Sequence, residues 1–481
     1  MNPSKAAALA SMLCFLSPSS LRAEVPRLPA GQGAVIFAAP SGAAPVYPSD
    51  ADLIDTVTPA VVSVFPARIV EGADAENPLD QFFNRDRSAP RGNGGDGGSR
   101  ENERVQGVGS GVVISADGWI VTNSHVIHLQ NGKQADAISV EFADRRRYDA
   151  EIVGDDPLTD LALLKIKATG LPFLRLADSD SVRVGDPVYA VGNPFKIGIT
   201  ATKGMVSAVR RANLDLTTRG GYESYIQTDA AINPGNSGGV LADRHGRLAG
   251  INTAIWGAAG RFNVGIGFAI PSNLVRNVVT QLAERGQVER GFFGWQIEEP
   301  LRKDIEAAGL VSMAGAKLGQ VMEGGPAAAA GLKAGDIVLE ASGGKVFTRG
   351  DLRFLASMVR PGESLPLSYQ RAGQKLTATL TAGRNDPQAV PAGSTFRLDS
   401  LPGIDFRKGR KGLVVEQIGK KEKAKTGLAV GMEIVEINGK PVADASAAGA
   451  ALVEGVNQVK ARTGADDQTL AIRLPLNAER E

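Results

Sequence analysis

Between Gly107 and Ala269 the chain breaks into short apolar and β-branched runs, set close together and separated by turn residues. The runs are Gly111–Ile114, Trp119–Thr122, Ile138–Phe142, Ile152–Gly154, Leu161–Ile166, Val188–Val191 and Met205–Val209. Many short strands with few helices between them argue for antiparallel barrels. Asp117-Gly118 is a hairpin turn signal. One amphipathic helix closes the unit: Ser272 can cap it, and Leu274, Val275, Val278, Val279 and Leu282 share a face before Gly286 stops it. A shorter helix over Ala51–Val57, capped by Ser49 or Asp50 and ended by Pro59, precedes the first strand. Residues 50–285 are therefore predicted to form one mainly β unit built as two small antiparallel barrels.

With 481 residues the chain exceeds a single core, since cores rarely grow past about 250–300 residues. Downstream lies an internal repeat, Gly331-Leu332-x-x-Gly335-x-x-Val338-Leu339-Glu340 and Gly427-Leu428-x-x-Gly431-x-x-Ile434-Val435-Glu436. It predicts two further modules, 290–383 and 396–476, joined by a Pro-, Gly- and Asn-containing linker over 384–395. Residues 84–104, rich in Gly, Arg and Asn, read as a surface loop.

The first 23 residues have the form of a secretory signal, with Lys5, an apolar run from Ala6 to Leu16, a break at Pro18-Ser19-Ser20 and a cut near Ala23. The apolar run is too short to span a bilayer. Cleavage removes Cys14, the only cysteine, so disulfides, thiol chemistry and thiolate metal sites are excluded from the exported chain. It also removes Lys5 and Arg22, taking 53 basic residues to 51 against 52 acidic ones. No overall field draws nucleic acid, and membrane association is not indicated. Residues 24–49, with five prolines among Ala and Gly, are expected to be a flexible leader.

Chemistry concentrates around Ser237, which sits among Gly235, Gly238 and Gly239 after a turn cluster, Asn233-Pro234-Gly235-Asn236. Glycines unshield the hydroxyl and let backbone N–H groups converge on one developing negative charge. A Gly-rich turn with an idle serine fits these residues equally well, so the decision rests on available bases. The chain has three histidines. His245 lies in the turn Asp243-Arg-His-Gly246 and His128 in a polar stretch, so both read as solvated or structural, whereas His125 follows a strand in Thr122-Asn-Ser-His-Val126. Asp160 leads into the apolar run Leu161–Ile166; if buried, it needs a donor such as an imidazole N–H. His125 can then act as base for Ser237 while Asp160 orients the ring. Gly235-x-Ser237-x-Gly239 also satisfies the nucleophile elbow of α/β-hydrolases, but that motif requires a following helix and the order Ser, Asp, His. No H-E-x-x-H occurs, which sets aside a zinc protease; no metal or other cofactor is expected.

Thr122-Asn-Ser-His-Val126, Thr159-Asp-Leu-Ala162, Val191-Gly-Asn-Pro-Phe195 and Gln227-Thr-Asp-Ala-Ala-Ile-Asn-Pro-Gly-Asn-Ser-Gly-Gly239 closely resemble the HtrA/DegP family of exported serine proteases. Asn252-Thr-Ala-Ile255 and Gly265–Ser272 extend the likeness, which covers roughly residues 50–480. The resemblance implies two six-stranded antiparallel β-barrels of trypsin type followed by two PDZ domains. It implies ATP-independent endoproteolysis of unfolded or misfolded envelope proteins in the periplasm, often with chaperone-like holding, on a homotrimer or a trimer-based assembly. A proteolytically silent chaperone or PDZ scaffold on the same fold is the rival reading. By motif position, His125 is the base, Asp160 its orienter and Ser237 the nucleophile. The amides of Gly235, Asn236 and Ser237 line the oxyanion hole, and Thr253 bonds near the Asp–His pair. Ile232, Ile255 and Ile266 match specificity-pocket positions, implying cleavage after small aliphatic residues; plain core packing is their alternative. Arg211 matches a sensing position in a regulatory loop. Phe292, Phe293, Gly294 and Trp295 resemble a PDZ carboxylate loop for C-terminal peptides, with Leu352 and Leu355 facing the groove; simple packing of the two leucines is the alternative. The second module departs from the pattern: Met432 stands where the first has Asp336, and Ser400–Ile404 is a poor carboxylate loop.

Overall fold

The computed structural model describes residues 27–30, 32–33, 37, 45–69, 103–105, 107–129, 132–193, 198–214, 216, 221–255, 264–384, 395–397, 401, 404–409, 411–442, 447–448, 451–452, 455–463 and 466–474. The expected signal segment and most of the 84–104 loop and 384–395 linker lie outside the described residues.

The first barrel comprises β1 (Val61–Ile69), β3 (Gly109–Val113), β4 (Trp119–Thr122), β5 (Ala137–Phe142), β6 (Arg147–Asp156) and β7 (Leu161–Ile166), with β2 (Glu103–Val105) extending β1 at one side. The path β1-β3-β4-β7-β6-β5 closes because β5 pairs back onto β1, from Val62↔Phe142 to Ala67↔Ala137. The second barrel uses β8 (Pro187–Gly192), β9 (Thr200–Arg211), β10 (Tyr225–Thr228), β11 (Val240–Asp243), β12 (Leu248–Ile255) and β13 (Gly267–Pro271), closed in the order β10-β13-β12-β11-β8-β9. Every residue of β3, β4 and β13 is buried, while β5 alternates, as a strand with one wet face should. Closure leaves neither barrel with a free edge along its ring.

The helix Ser272–Arg285 buries Leu274, Val275, Val278, Val279 and Leu282 and ends at Gly286 with φ 76°, the left-handed stop expected of glycine. Its start differs from expectation: Pro271 is the cap residue, and the Ser272 hydroxyl instead donates to the Ala177 carbonyl at 2.9 Å. At Asp50–Val57 the cap is Ser49, whose Oγ accepts from Asp52 N at 3.2 Å.

The leader is not loose throughout. Leu28, Gly33, Phe37 and Tyr47 are buried or half-buried, while Val46 is 86% exposed. Leu28 N donates to Ala283 O at 2.8 Å near the end of the closing helix, and the Arg27 guanidinium bonds the Val153 carbonyl of β6 and the Leu282 carbonyl at 3.5 Å. Phe37 is 1% exposed and meets Trp119 edge-on, ring centroids 6.1 Å apart. Arg276 Nε holds the Phe37 carbonyl at 3.1 Å. Its proline-rich composition carries no periodicity, but one aromatic ring finds a long-range partner.

Beyond the barrels, a sheet ordered Trp295–Glu298, Ala316–Val321, Ile337–Ala341, Ser364–Arg371, Gln374–Thr381 packs with the helix Arg349–Ser357. Thr348 caps that helix and Asp351 returns the bond. Gly291–Phe292 pairs with Gly383–Arg384, tying the ends of this module together. The last module repeats the plan with Ile404–Lys408, Leu413–Ile418, Glu433–Ile437, Gly455–Thr463 and Asp466–Leu474. The repeated glycines explain the sequence likeness: Gly331 and Gly335 have φ 80° and 92°, Gly427 and Gly431 71° and 88°. Asp336 in the first module is 1% exposed and chelated by Arg371 at 2.6 and 2.7 Å. Its Oδ2 also accepts from Lys333 N at 2.8 Å; in the second module Met432 Sδ takes that role toward Ala429 N at 3.3 Å.

Candidate active site

β4 delivers Asn123 into a short 3-10 turn, Ser124–Ile127, that carries His125. Asp160 ends the β6–β7 turn with φ 56°, a left-handed conformation unusual for a residue with a side chain. Several bonds hold it there. The Asp160 carbonyl accepts from Asn123 Nδ2 at 2.8 Å and Ser124 N at 3.1 Å. Its carboxylate, 4% exposed as a residue, accepts from His125 N at 3.0 Å, faces His125 Nδ1 at 2.8 Å, and accepts from Thr253 Oγ1 at 2.6 Å. A buried carboxylate thus has the donors it requires. Burial alone would lower the His125 pKa, but the Asp160 charge and hydrogen bond outweigh it, leaving the imidazole above its ordinary range.

Ser237 lies between two tight turns. In the first, Asn236 N donates to Asn233 O at 2.9 Å across Pro234 and Gly235, whose φ is 104°. Proline second and a positive-φ glycine third are what a type II turn demands. In the next, Gly239 N donates to Asn236 O at 2.9 Å across Ser237 and Gly238, with Gly238 at φ 84°. Of the three amides expected to face an oxyanion, that of Asn236 is therefore spent inside the turn. Those of Gly235 and Ser237 have no partner among the described residues. The Ser237 hydroxyl donates to the Thr253 carbonyl at 3.2 Å rather than to His125. Thr253 thus touches both ends of the site, its side chain on Asp160 and its carbonyl on Ser237.

Ile232 is 2% exposed and packs with Val188, Val206, Ile226 and Leu241 in the second barrel, its Cδ1 2.8 Å from where a Cβ on Gly267 would lie. Ile266 is half-buried. Ile255 pairs through its backbone with Gly267; its side chain lies outside the description. His128 Nδ1 lies 2.7 Å from the Ser124 carbonyl and His245 Nδ1 2.6 Å from the Pro45 carbonyl, so neither ring joins the site.

Arg211 is exposed and donates to Gln227 Oε1 at 2.9 Å. The loop after it folds back on itself, Glu223 accepting from Leu214 N at 2.7 Å and Leu216 N at 2.8 Å. Sequence reasoning missed what happens next. Arg290, before the first PDZ strand, forms a two-pronged pair with buried Asp156, at 3.1 and 2.5 Å, and stacks on Tyr222 with 4.6 Å to the ring centre. Tyr222 N in turn donates to Leu158 O at 2.8 Å, two residues before Asp160. In the PDZ module, Phe293 and Trp295 stack at 4.9 Å, Phe292 is half-buried and Gly294 has φ 69°. Leu352, expected in the groove, has no exposure and belongs to the module's core; Leu355 is half-buried at its edge.

A model of the trypsin-like peptidase domain matches residues 109–251, and one of the PDZ domain matches 294–381. The periplasmic serine endoprotease DegP of Salmonella typhimurium is 38% identical over 420 residues, covering 82% of this chain and 85% of that protein. A probable periplasmic serine endoprotease, DegP-like, of Brucella suis biovar 1 is 37% identical over 472 residues, covering 89% and 90%. Among solved structures, the HtrA-type protease AlgW with a decapeptide is 39% identical with TM-score 0.52, covering 70% of this chain and 99% of that one. Its form with a tripeptide gives 37% and 0.53, with 71% and 99% covered. Likeness of this degree runs through the barrels and the module behind them, so the chain belongs to the DegP/HtrA family of serine endoproteases.

Proposed function

We propose that this enzyme degrades unfolded or damaged envelope proteins in the periplasm, cutting after small aliphatic residues under the control of its PDZ modules. His125 Nε2 takes the Ser237 proton as Oγ attacks the scissile carbonyl, and later returns it to the leaving amine. Asp160 keeps the Nδ1–H tautomer aimed and stabilises the imidazolium. The amides of Gly235 and Ser237 meet the oxyanion. The hydroxyl's 3.2 Å bond to Thr253 is long for O–H···O, so little is lost when it is given up.

The observation that carries this reading is Thr253, which joins the Asp160–His125 pair to Ser237 through one residue. The preference for small aliphatic residues rests on the family resemblance at Ile232, Ile255 and Ile266. The names of the DegP relatives support the periplasmic location, after removal of residues 1–23. Among the described residues no helix is long and apolar enough to cross a membrane. The AlgW structures with peptides support peptides as ligands; capture by residues 292–295 rests on the family resemblance. A trimer-based assembly rests on the family likeness.

Casein degradation by the mature protein and by Ser237→Ala tests the reading. The variant should lose about 10⁴- to 10⁶-fold in turnover. Equal degradation by both would remove Ser237 as the nucleophile, and no degradation by either would favour the silent chaperone. A peptide-library profile dominated by arginine would overturn the pocket assignment.

A further inference from the structure

The loop bearing Ser237 belongs to the second barrel, yet a residue of the first grips it. β3 contains Gly109-Ser110-Gly111, and a Cβ on Gly109 would come 2.6 Å from Val126, one on Gly111 2.9 Å from Ile120. Those two positions face packed side chains of the first barrel. Strand alternation turns Ser110 the other way, into the seam between barrels, where it has no exposure. Ser110 N donates to the Ser237 carbonyl at 2.8 Å. Its Oγ donates to the Gly235 carbonyl at 2.7 Å and accepts from Asn193 N at 2.8 Å. The Ser110 carbonyl accepts from Thr122 Oγ1 at 2.7 Å.

Peptide planarity gives these bonds their effect. Holding the Gly235 carbonyl fixes the Gly235–Asn236 plane, and holding the Ser237 carbonyl fixes the Ser237–Gly238 plane. The Asn236–Ser237 plane, which carries the Ser237 N–H, is thereby clamped from both sides, and the Gly235 N–H sits on the residue whose own carbonyl is held. Little space exists for a substitute: a Cβ on Gly192 would lie 2.9 Å from Ser110 Oγ, and one on Gly238 2.1 Å from its carbonyl oxygen. We infer that Ser110 is a positioning residue for catalysis, setting the Gly235 and Ser237 amides for the tetrahedral intermediate from across the barrel seam. The inference rests on the endoprotease reading.

The test uses the full mature protein with Ser110→Ala and Ser110→Cys, the second keeping the volume with a far weaker donor. Three quantities are compared with the parent: kcat and KM on a peptide substrate, affinity for a peptide aldehyde that forms a tetrahedral adduct, and affinity for the cleaved product peptide. Misplaced donors should cost about 10- to 100-fold in kcat with KM little changed. Aldehyde affinity should fall in proportion, while product affinity holds within about twofold. Should the alanine chain fail to fold, the cysteine chain alone decides. Full activity in a folded variant, or equal loss of aldehyde and product affinity, overturns the inference. If Ser237→Ala is inactive in that case, the protease reading stands without it.

Discussion

Thr253 donates its hydroxyl to Asp160 Oδ2 at 2.6 Å, which makes a β12 residue of the second barrel part of the electrostatics of a first-barrel carboxylate. The groups proposed for catalysis are therefore split across two cores, and Thr253 crosses the seam in the opposite direction to Ser110. A hydrogen bond to a charged group contributes about 1.5–3 kcal/mol. Thr253→Val should lower kcat by about 10- to 100-fold, with KM held near the parent value. Steady-state kinetics on a short peptide measures this, and an unchanged kcat would remove Thr253 from the working site.

The pH profile follows from the His125 environment. Burial pulls its pKa down, but Asp160 more than reverses this, so the imidazole stays protonated to a higher pH than a free histidine. The base must be neutral, so kcat/KM should rise with pH through a midpoint above about 6.5. Asp160→Asn leaves burial unopposed; the midpoint should move downward and kcat fall about 10⁴-fold. The stability sign is opposite to the activity sign. A raised folded-state pKa adds stability that is complete below the unfolded value and fades as pH climbs through the folded one. A midpoint that rises in the asparagine variant would contradict this account.

Phe37→Ala should destabilise the barrel unit by about 3–5 kcal/mol, the cost of emptying a fully packed aromatic site. Urea unfolding followed by Trp fluorescence is suited to this, because Trp119 is the ring that Phe37 covers. A change within error would return residues 24–49 to the status of a loose leader.

Asp336→Ala should unfold the first PDZ module before the barrels, since it removes the acceptor of Lys333 N and the partner of the part-exposed Arg371, at a cost of about 1–3 kcal/mol. Calorimetry should resolve a lowered first transition, and peptide capture should be lost with it. The last module, already built around Met432 at this position, should melt as before.

The barrels are legible because alternation and turn spacing are local signals, and His125, Asp160 and Ser237 stand out because their order excludes other hydrolase plans. What escaped was non-local. Phe37 stands alone among Ala, Gly and Pro, and only Trp119, far along the chain, explains its burial. Ser110 hid inside a strand, though a serine flanked by Gly109 and Gly111 was a readable sign of close approach. Asn236 was counted as an oxyanion donor because chain proximity cannot reveal which amides a turn consumes. Leu352 and Leu355 share a helix, and its rotation against the sheet, invisible in the sequence, decides that the former is core.

The bonds of Arg27 to β6 and to Leu282, and of Leu28 to Ala283, bear on how the enzyme is handled. An affinity tag fused just ahead of residue 27 would crowd the turn at Gly286, whose Cβ position lies 2.2 Å from the Arg27 guanidinium. A shortened protein begun at Asp50 would uncover Trp119 to solvent. Purification handles therefore belong at the far terminus, and domain-trimming experiments should keep the opening stretch intact.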